Sequence, residues 1–184
     1  MKAYLLLANG MVFEGRAFGA AGTSVGEVVF NTGMVGYEET LTDPSYYGQI
    51  ITQTYPLVGN YGVNGEDAES ARIWAFGYIV RELCGTPSNF RCQKTLDEFL
   101  KEQGIIGIAG VDTRRLTRII RDEGTQKVLI TDVATPREEA MRKLGEYVTP
   151  HDMVPRVSCR KRWMSRVPNH KYDVVAVDCG IKYN

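Results

Sequence analysis

Nowhere in this 184-residue sequence does an apolar run approach the roughly 20 residues needed to cross a bilayer as a helix. The short run at residues 3–8, behind Met1-Lys2, is too brief for a signal peptide and ends at Asn9-Gly10, a turn pair. With no targeting segment in view, the expected compartment is the cytoplasm, and no membrane partner is expected. Neither sign of charge is in excess. The 22 Lys and Arg balance 22 Asp and Glu, so no overall field draws nucleic acid or an anionic lipid surface. Only two histidines occur, His151 and His170. None of the four cysteines (Cys84, Cys92, Cys159, Cys179) forms a C-x-x-C pair. Zinc-site spacing is therefore missing; no metal is expected, and in a reducing compartment the cysteines read as free thiols. No G-x-G-x-x-G or Walker A motif follows a strand-like run, which argues against a doubly wound nucleotide-binding fold.

What is present is ordinary for a folded protein: 43% hydrophobic and 24% charged residues, enough for one packed domain and part of a second. Residues 3–7, Asn9-Gly10 and residues 11–15 read as a hairpin, with Asn-Gly supplying a type I′ turn. Residues 27–31 (EVVFN) form a short β-rich run. Residues 49–55 (QIITQTY) alternate apolar and polar side chains and read as a half-buried strand stopped by Pro56. Residues 59–62 read as a loop and 75–80 (AFGYIV) as a strand.

The rhythm then changes to strand–helix alternation. Thr95 and Glu98 have capping-box spacing, Leu96, Phe99 and Leu100 share a helical face, and Gly104 is a natural stop. Residues 105–109 (IIGIA) read as a buried strand. Asp112 or Thr113 caps a helix whose apolar face is Leu116, Ile119 and Ile120, ended by Gly124. Residues 127–131 form a further strand. Thr135-Pro136-Arg137-Glu138 reads as cap, first-turn proline and acidic third position, with Gly145 as the stop. Strands first, then strands with helices, predict a mixed α/β domain whose sheet is partly covered by helices.

Residues from about 146 to 171 hold Pro150, Pro155, Pro168 and both histidines with little periodicity, and read as a linker. Residues 172–177 (YDVVAV) then read as a new apolar strand. A strand needs neighbours, so this pattern predicts that the natural chain continues.

Five segments in this order, GEVVFNTGMVGY (26–37), LTDPSY (41–46), TYPLVGNYG (54–62), GVDTRRLT (110–117) and VVAVDCGIKYN (174–184), resemble the small subunit of carbamoyl phosphate synthetase. The resemblance implies a β/β/α three-layer domain at residues 1–148, a linker at 149–171, and the start of a truncated class I glutamine amidotransferase domain at 172–184. It implies a parent enzyme that hydrolyses glutamine and passes ammonia to an ATP-dependent large subunit. That partner makes carbamoyl phosphate for arginine and pyrimidine synthesis. ATP and Mg belong to that partner, and no cofactor is expected in this chain.

That family's nucleophile is a cysteine in a G-x-C-x-G setting on a sharp strand-to-helix turn, where a helix N-terminus favours the thiolate. No such motif occurs here; Cys179 stands in Asp178-Cys-Gly180 and Cys84 in Leu83-Cys-Gly85. No catalytic residue is therefore expected in this chain, which alone is predicted inactive as a glutaminase. The resemblance makes Ser45 the glutamine-contacting residue, since a hydroxyl both donates and accepts. Asp43-Pro44-Ser45 is equally good turn chemistry by itself. Gly33, Gly36, Gly59 and Gly62 serve backbone geometry or shape a surface for the large subunit. Asp112, Arg114 and Arg115 form an inter-subunit ion cluster or a cap with a solvated face. Tyr37, Tyr46, Tyr47 and Tyr61 line an interface or the core. The basic run at 159–163 with Arg166 reads as a solvated linker or a subunit contact rather than a nucleic-acid contact. The alternative for the whole chain is a stand-alone regulatory or docking module without amidotransferase activity.

Overall fold

The first hairpin folds β1 (Lys2–Leu7) back on β2 (Val12–Gly19), with Leu6 opposite Val12. The turn is not type I′. Gly10 N donates to Leu7 O at 2.9 Å and Leu7 N to Met11 O at 2.9 Å, which closes the three-residue loop Ala8-Asn9-Gly10. Only Gly10 takes a left-handed φ, of 86°, so the loop is a β-turn with a glycine bulge.

The computed structural model describes residues 1–165 and 167–183. After the hairpin come β3 (Thr23–Asn31), α1 (Tyr37–Thr42), β4 (Gln49–Gln53), β5 (Leu57–Val58), β6 (Gly77–Val80) and β7 (Glu82–Leu83). They are followed by α2 (Leu96–Glu102), β8 (Ile106–Ala109), α3 (Thr113–Glu123), β9 (Gln126–Thr131), α4 (Arg137–Glu146) and α5 (Met153–Val157). Seven strands close into a barrel in the order β1-β2-β8-β6-β4-β3-β9, while β5 and β7 form a separate two-stranded sheet. The mixed α/β class is as expected.

Strand alternation sorts the apolar residues between an inner and an outer core. Leu5, Leu7, Val28, Ile50, Ile108, Val128 and Ile130 belong to one cluster inside, which Leu116 and Ile120 of α3 join. Ile51, Tyr78 and Val80 belong to a second cluster with Tyr37 and Leu41 of α1 and Leu96 and Leu100 of α2. Leu6 and Leu129 pack under Ala140 and Leu144 of α4. The half-buried reading of residues 49–55 is corrected here. The strand ends at Gln53, and Ile50 through Gln53 are all buried. The cause is its place between β3 and β6, parallel to both, with core on each face.

Local cap chemistry placed two helices. The Thr95–Glu98 capping box is complete, and Asp112, not Thr113, caps α3 by accepting from Arg115 N at 3.0 Å. At α4 the expectation fails by one residue. Pro136 takes the cap position, so no side chain caps this helix, and the Thr135 hydroxyl donates to Val133 O at 3.3 Å. Gly145 lies inside α4, not past its end.

The predicted strand at 172–177 does not form. Tyr172, Val174, Val175 and Val177 are exposed, and none of these residues pairs with a strand. The closed barrel offers no free edge to receive it.

Candidate functional site

Asp43 ends α1, and Pro44–Tyr46 makes one 3-10 turn. The Asp43 carboxylate accepts from Ser45 N at 2.8 Å, and Tyr46 N and Tyr47 N donate to Asp43 O and Pro44 O at 3.1 Å each. Pro44 is buried and fixes its own φ. The turn is therefore held from both ends, and Ser45 stands exposed on it. Among the described residues its hydroxyl has no hydrogen-bond partner. A hydroxyl held out in this way is available to a ligand.

The support behind the turn is buried and polar. Thr42 Oγ1 donates to Glu38 O and accepts from Glu69 N, each at 2.8 Å. Ser70 Oγ donates to Thr42 O at 2.6 Å and accepts from Trp74 Nε1 at 2.7 Å. Glu38, only 1% exposed, spends its carboxylate on Asn64 N at 3.0 Å and Gly65 N at 2.9 Å. At the other end of α1, Tyr61 OH accepts from Gly36 N at 2.6 Å, and Tyr37 stacks on Tyr61 with ring centroids 4.2 Å apart. Burial pushes the Tyr37 phenol well above its usual range, so it stays a donor, to Gly62 O at 2.6 Å. A layer below, Gln53 Nε2 donates to Gly33 O at 2.5 Å, and Tyr78 OH donates to Gln53 Oε1 at 3.1 Å.

The last described residues return to this turn. Lys182 Nζ lies 3.2 Å from the second Asp43 oxygen, which raises the pKa of the Lys182 ammonium. Tyr183 N donates to Glu69 O at 2.8 Å. Asp178 organises the segment by accepting from Gly180 N at 2.7 Å, Ile181 N at 2.9 Å and Cys159 N at 2.8 Å. Those backbone donors, Ile181 N foremost, hold its carboxyl down to about 2. The Cys159 thiol, hydrogen-bonded to Asp178, is pushed up instead. Between the returning segment and the barrel lies a cleft of about 500 Å³ lined by Pro44, Ser70, Trp74, Trp163, Ile181 and Tyr183, among others.

Of the other residues singled out from sequence, Tyr37 and Tyr61 brace α1, and Tyr47 packs edge-on against Trp74 and Phe76. Tyr46 OH accepts from Asn31 Nδ2 at 3.2 Å. Gly36, Gly59 and Gly62 all adopt left-handed backbone; Gly33 does not. At Gly62 the requirement is steric as well, because the Cys92 thiol occupies the space a side chain would need. Asp112 is a helix cap, Arg115 lies 5.5 Å over the Phe13 ring, and among the described residues Arg114 and Arg115 make no ion pair. Both arginines are exposed, which fits a solvated face and an inter-subunit cluster alike. Arg160, Lys161 and Arg162 are exposed, Trp163 meets Tyr183 edge-on at 6.5 Å, and Arg166 lies outside the described residues, as does Asn184. Cys179 is exposed and Cys84 donates to Thr86 O at 3.4 Å. Among the described residues no group of three or more His, Cys, Asp or Glu is placed to hold a metal ion, and no helix is long and apolar enough to cross a membrane. Sequence reasoning missed Glu38 and Asp178. Glu38 reads as one more acid on a helix, and only the distant Asn64–Gly65 turn gives it a role.

Residues 5–130, which run from β1 to β9 and carry the Ser45 turn, match the family model described as carbamoyl-phosphate synthase small chain, CPSase domain. The chain belongs to the carbamoyl-phosphate synthase small chain family. It is 54% identical over 181 residues to the carbamoyl phosphate synthase small chain of Listeria monocytogenes serotype 4b (strain F2365), covering 98% of this chain and 49% of that one. It is 48% identical over 183 residues to the carbamoyl phosphate synthase pyrimidine-specific small chain of Bacillus subtilis (strain 168), covering 100% of this chain and 50% of that one. The match to the small chain of Clostridium perfringens (strain 13 / Type A) is 50% over 184 residues, covering 100% and 52%. The chain thus spans about half the length of these small-chain relatives. An aminopeptidase from Aneurinibacillus sp. strain AM-1 overlaps 70% of the chain and 30% of its own at 15% identity and a TM-score of 0.42, a level at which two folds need not be the same.

Proposed function

We propose that this chain is the front part of a glutamine-hydrolysing small subunit, and that it completes the glutamine site and docks the large subunit. In this reading residues 149–171 link the barrel domain to an amidotransferase domain that begins at about residue 172 and supplies the nucleophile. The ammonia passes to the large subunit, which carries ATP and Mg and makes carbamoyl phosphate for arginine and pyrimidine synthesis in the cytoplasm. The supporting observation is the Ser45 hydroxyl, free of partners among the described residues and held out on a doubly fixed turn beside residues 178–183. A hydroxyl in that place suits the amide or the α-amino acid head of glutamine, because it offers both a donor and an acceptor.

The test is Ser45→Ala in the full-length subunit assembled with its large chain. Loss of one hydrogen bond to a charged or amide group raises KM for glutamine about tenfold, while synthesis from free ammonia keeps its rate. An unchanged KM removes Ser45 from the site. The 184-residue chain alone is expected to release no ammonia from glutamine above a protein-free blank.

A further inference from the structure

The stretch after α4 carries little periodicity, yet its first part does not run free. The Tyr147 carbonyl accepts from Lys127 Nζ at 2.6 Å, and the Tyr147 phenol donates to Gly48 O at 3.4 Å. Pro150 lies over Gly48, where a methyl would stand 3.6 Å from the proline ring. Arg156 of α5 hydrogen-bonds Tyr47, and its Nε donates to Asp152 at 2.9 Å. Tyr47 and Gly48 directly follow the Ser45 turn, so this stretch passes along one flank of it.

The stretch then meets the segment that returns to the other flank, and the meeting point is Asp178. One carboxylate oxygen accepts from Gly180 N at 2.7 Å and Ile181 N at 2.9 Å, which closes a local turn. The other accepts from Cys159 N at 2.8 Å. Ser158 Oγ lies 2.8 Å from Asp178 O and 2.7 Å from Val154 O, and shares its one proton between them. Gly180 fills the junction. It takes a φ of 105°, and a methyl built on it would lie 3.0 Å from Val157 and 3.3 Å from Pro44. The two oxygens of Asp178 thus divide their work. One shapes residues 178–181, and the other ties that turn to residues 158–159, with Pro44 against the same junction.

We infer that Asp178 is a positioning residue for the glutamine site: by clasping Cys159 and Gly180 it fixes where Pro44, and with it the Ser45 hydroxyl, stands. The inference rests on the proposed function, which makes Ser45 the glutamine contact. The Ser45 turn is rigid within itself, held by the Asp43 carboxylate and by Pro44, so it moves as a unit. Contact from outside places that unit, and the Asp178 junction supplies it on the Pro44 side. A shift of about 1 Å is enough to carry a hydrogen bond out of its useful range.

The experiment measures steady-state kinetics of the full-length small subunit assembled with its large chain, with glutamine or free ammonia as the nitrogen source. Asp178→Asn keeps the oxygen that shapes the turn and puts an amide NH₂ against Cys159 N, so only the clasp is lost. It is expected to raise KM for glutamine about five- to tenfold, with the rate at saturating glutamine and the ammonia-driven rate within about twofold of wild type. Gly180→Ala, which drives a methyl between Val157 and Pro44, is expected to do the same. Asp173→Asn, at an exposed carboxylate nearby, is the control and leaves KM unchanged.

The double variant decides between positioning and simple support. In a Ser45→Ala background, Asp178→Asn should change KM by less than about twofold, since the group it positions is already gone. Full additivity, or a fall in both rates with KM unmoved, would mean that Asp178 only holds the fold, and overturns the inference. A wild-type complex without glutamine-driven synthesis would overturn the proposed function and this inference with it. A working wild type whose KM is untouched by Asp178→Asn overturns the inference alone. If Asp178→Asn does not fold, hydrogen exchange on the wild-type subunit takes its place. The amides of Cys159, Gly180 and Ile181 are expected to be protected together, and a Cys159 amide that exchanges freely while the other two are protected would remove the clasp.

Discussion

The Glu38 carboxylate accepts the backbone N–H of Asn64 at 3.0 Å across 26 residues of sequence, in a place where both are nearly dry. A helix of six residues would scarcely persist alone. α1 is instead pinned at its N-terminal end by this carboxylate with Tyr37 and Tyr61 and at its C-terminal end by Thr42, and the Ser45 turn inherits that rigidity.

Glu38→Ala would leave the buried N–H of Asn64 and the partly exposed N–H of Gly65 without their acceptor. The expected loss is about 2–3 kcal/mol, read as a lowered urea midpoint at constant slope. Glu38→Gln keeps one acceptor oxygen and should lose visibly less. Equal losses in the two variants would mean that packing, not hydrogen bonding, holds the loop.

Gly62→Ala places a methyl on a residue at φ 70°, against the Cys92 thiol. Strain in the left-handed region is roughly 1 kcal/mol, and the overlap adds to it. Cys92→Ala in the same chain should restore only the second part, as judged by thermal melts of the two variants.

Thr95→Ala removes the side-chain half of the capping box on α2, whose Leu96 and Leu100 are fully buried. A loss of about 1 kcal/mol is expected. Thr95→Ser, which keeps the hydroxyl, should sit close to wild type in the same denaturation series.

Asp178 sets a pH dependence. Its carboxyl titrates at about 2 when folded against 3.8 as the ordinary value, so the folded form binds its proton less readily. Its contribution is complete above about pH 4 and is lost as pH falls toward 2. Limited proteolysis of the 158–181 region by pepsin should accelerate across that window. In Asp178→Asn the region should be cut readily at pH 4 already.

The readable parts of the sequence were those where the decisive atoms are close together along the chain. Thr95 and Glu98, Asp112 and Arg115, and the hairpin at Asn9-Gly10 (its place, not its turn type) are each settled within a few residues. β4 was misjudged because its second buried face depends on β3 and β6, which no local pattern records. α1 was missed because it is one and a half turns long and starts at Gly36 with no side-chain cap. At α4, Thr135 had the right spacing but found Val133 O first. Ser45 was singled out through family resemblance alone. Its setting was not, because the Lys182–Asp43 contact joins residues 139 positions apart.

The closure of the barrel has a consequence for how the protein is made. β1 pairs with β9, so the first strand translated waits for Gln126–Thr131 before its second edge is covered. A nascent chain on the ribosome thus carries β1 with one open edge through more than 100 residues of synthesis. Such late, non-local pairing makes for slow folding and a long exposure to aggregation. Chaperone demand for this domain should therefore be concentrated in the interval before Thr131 leaves the exit tunnel.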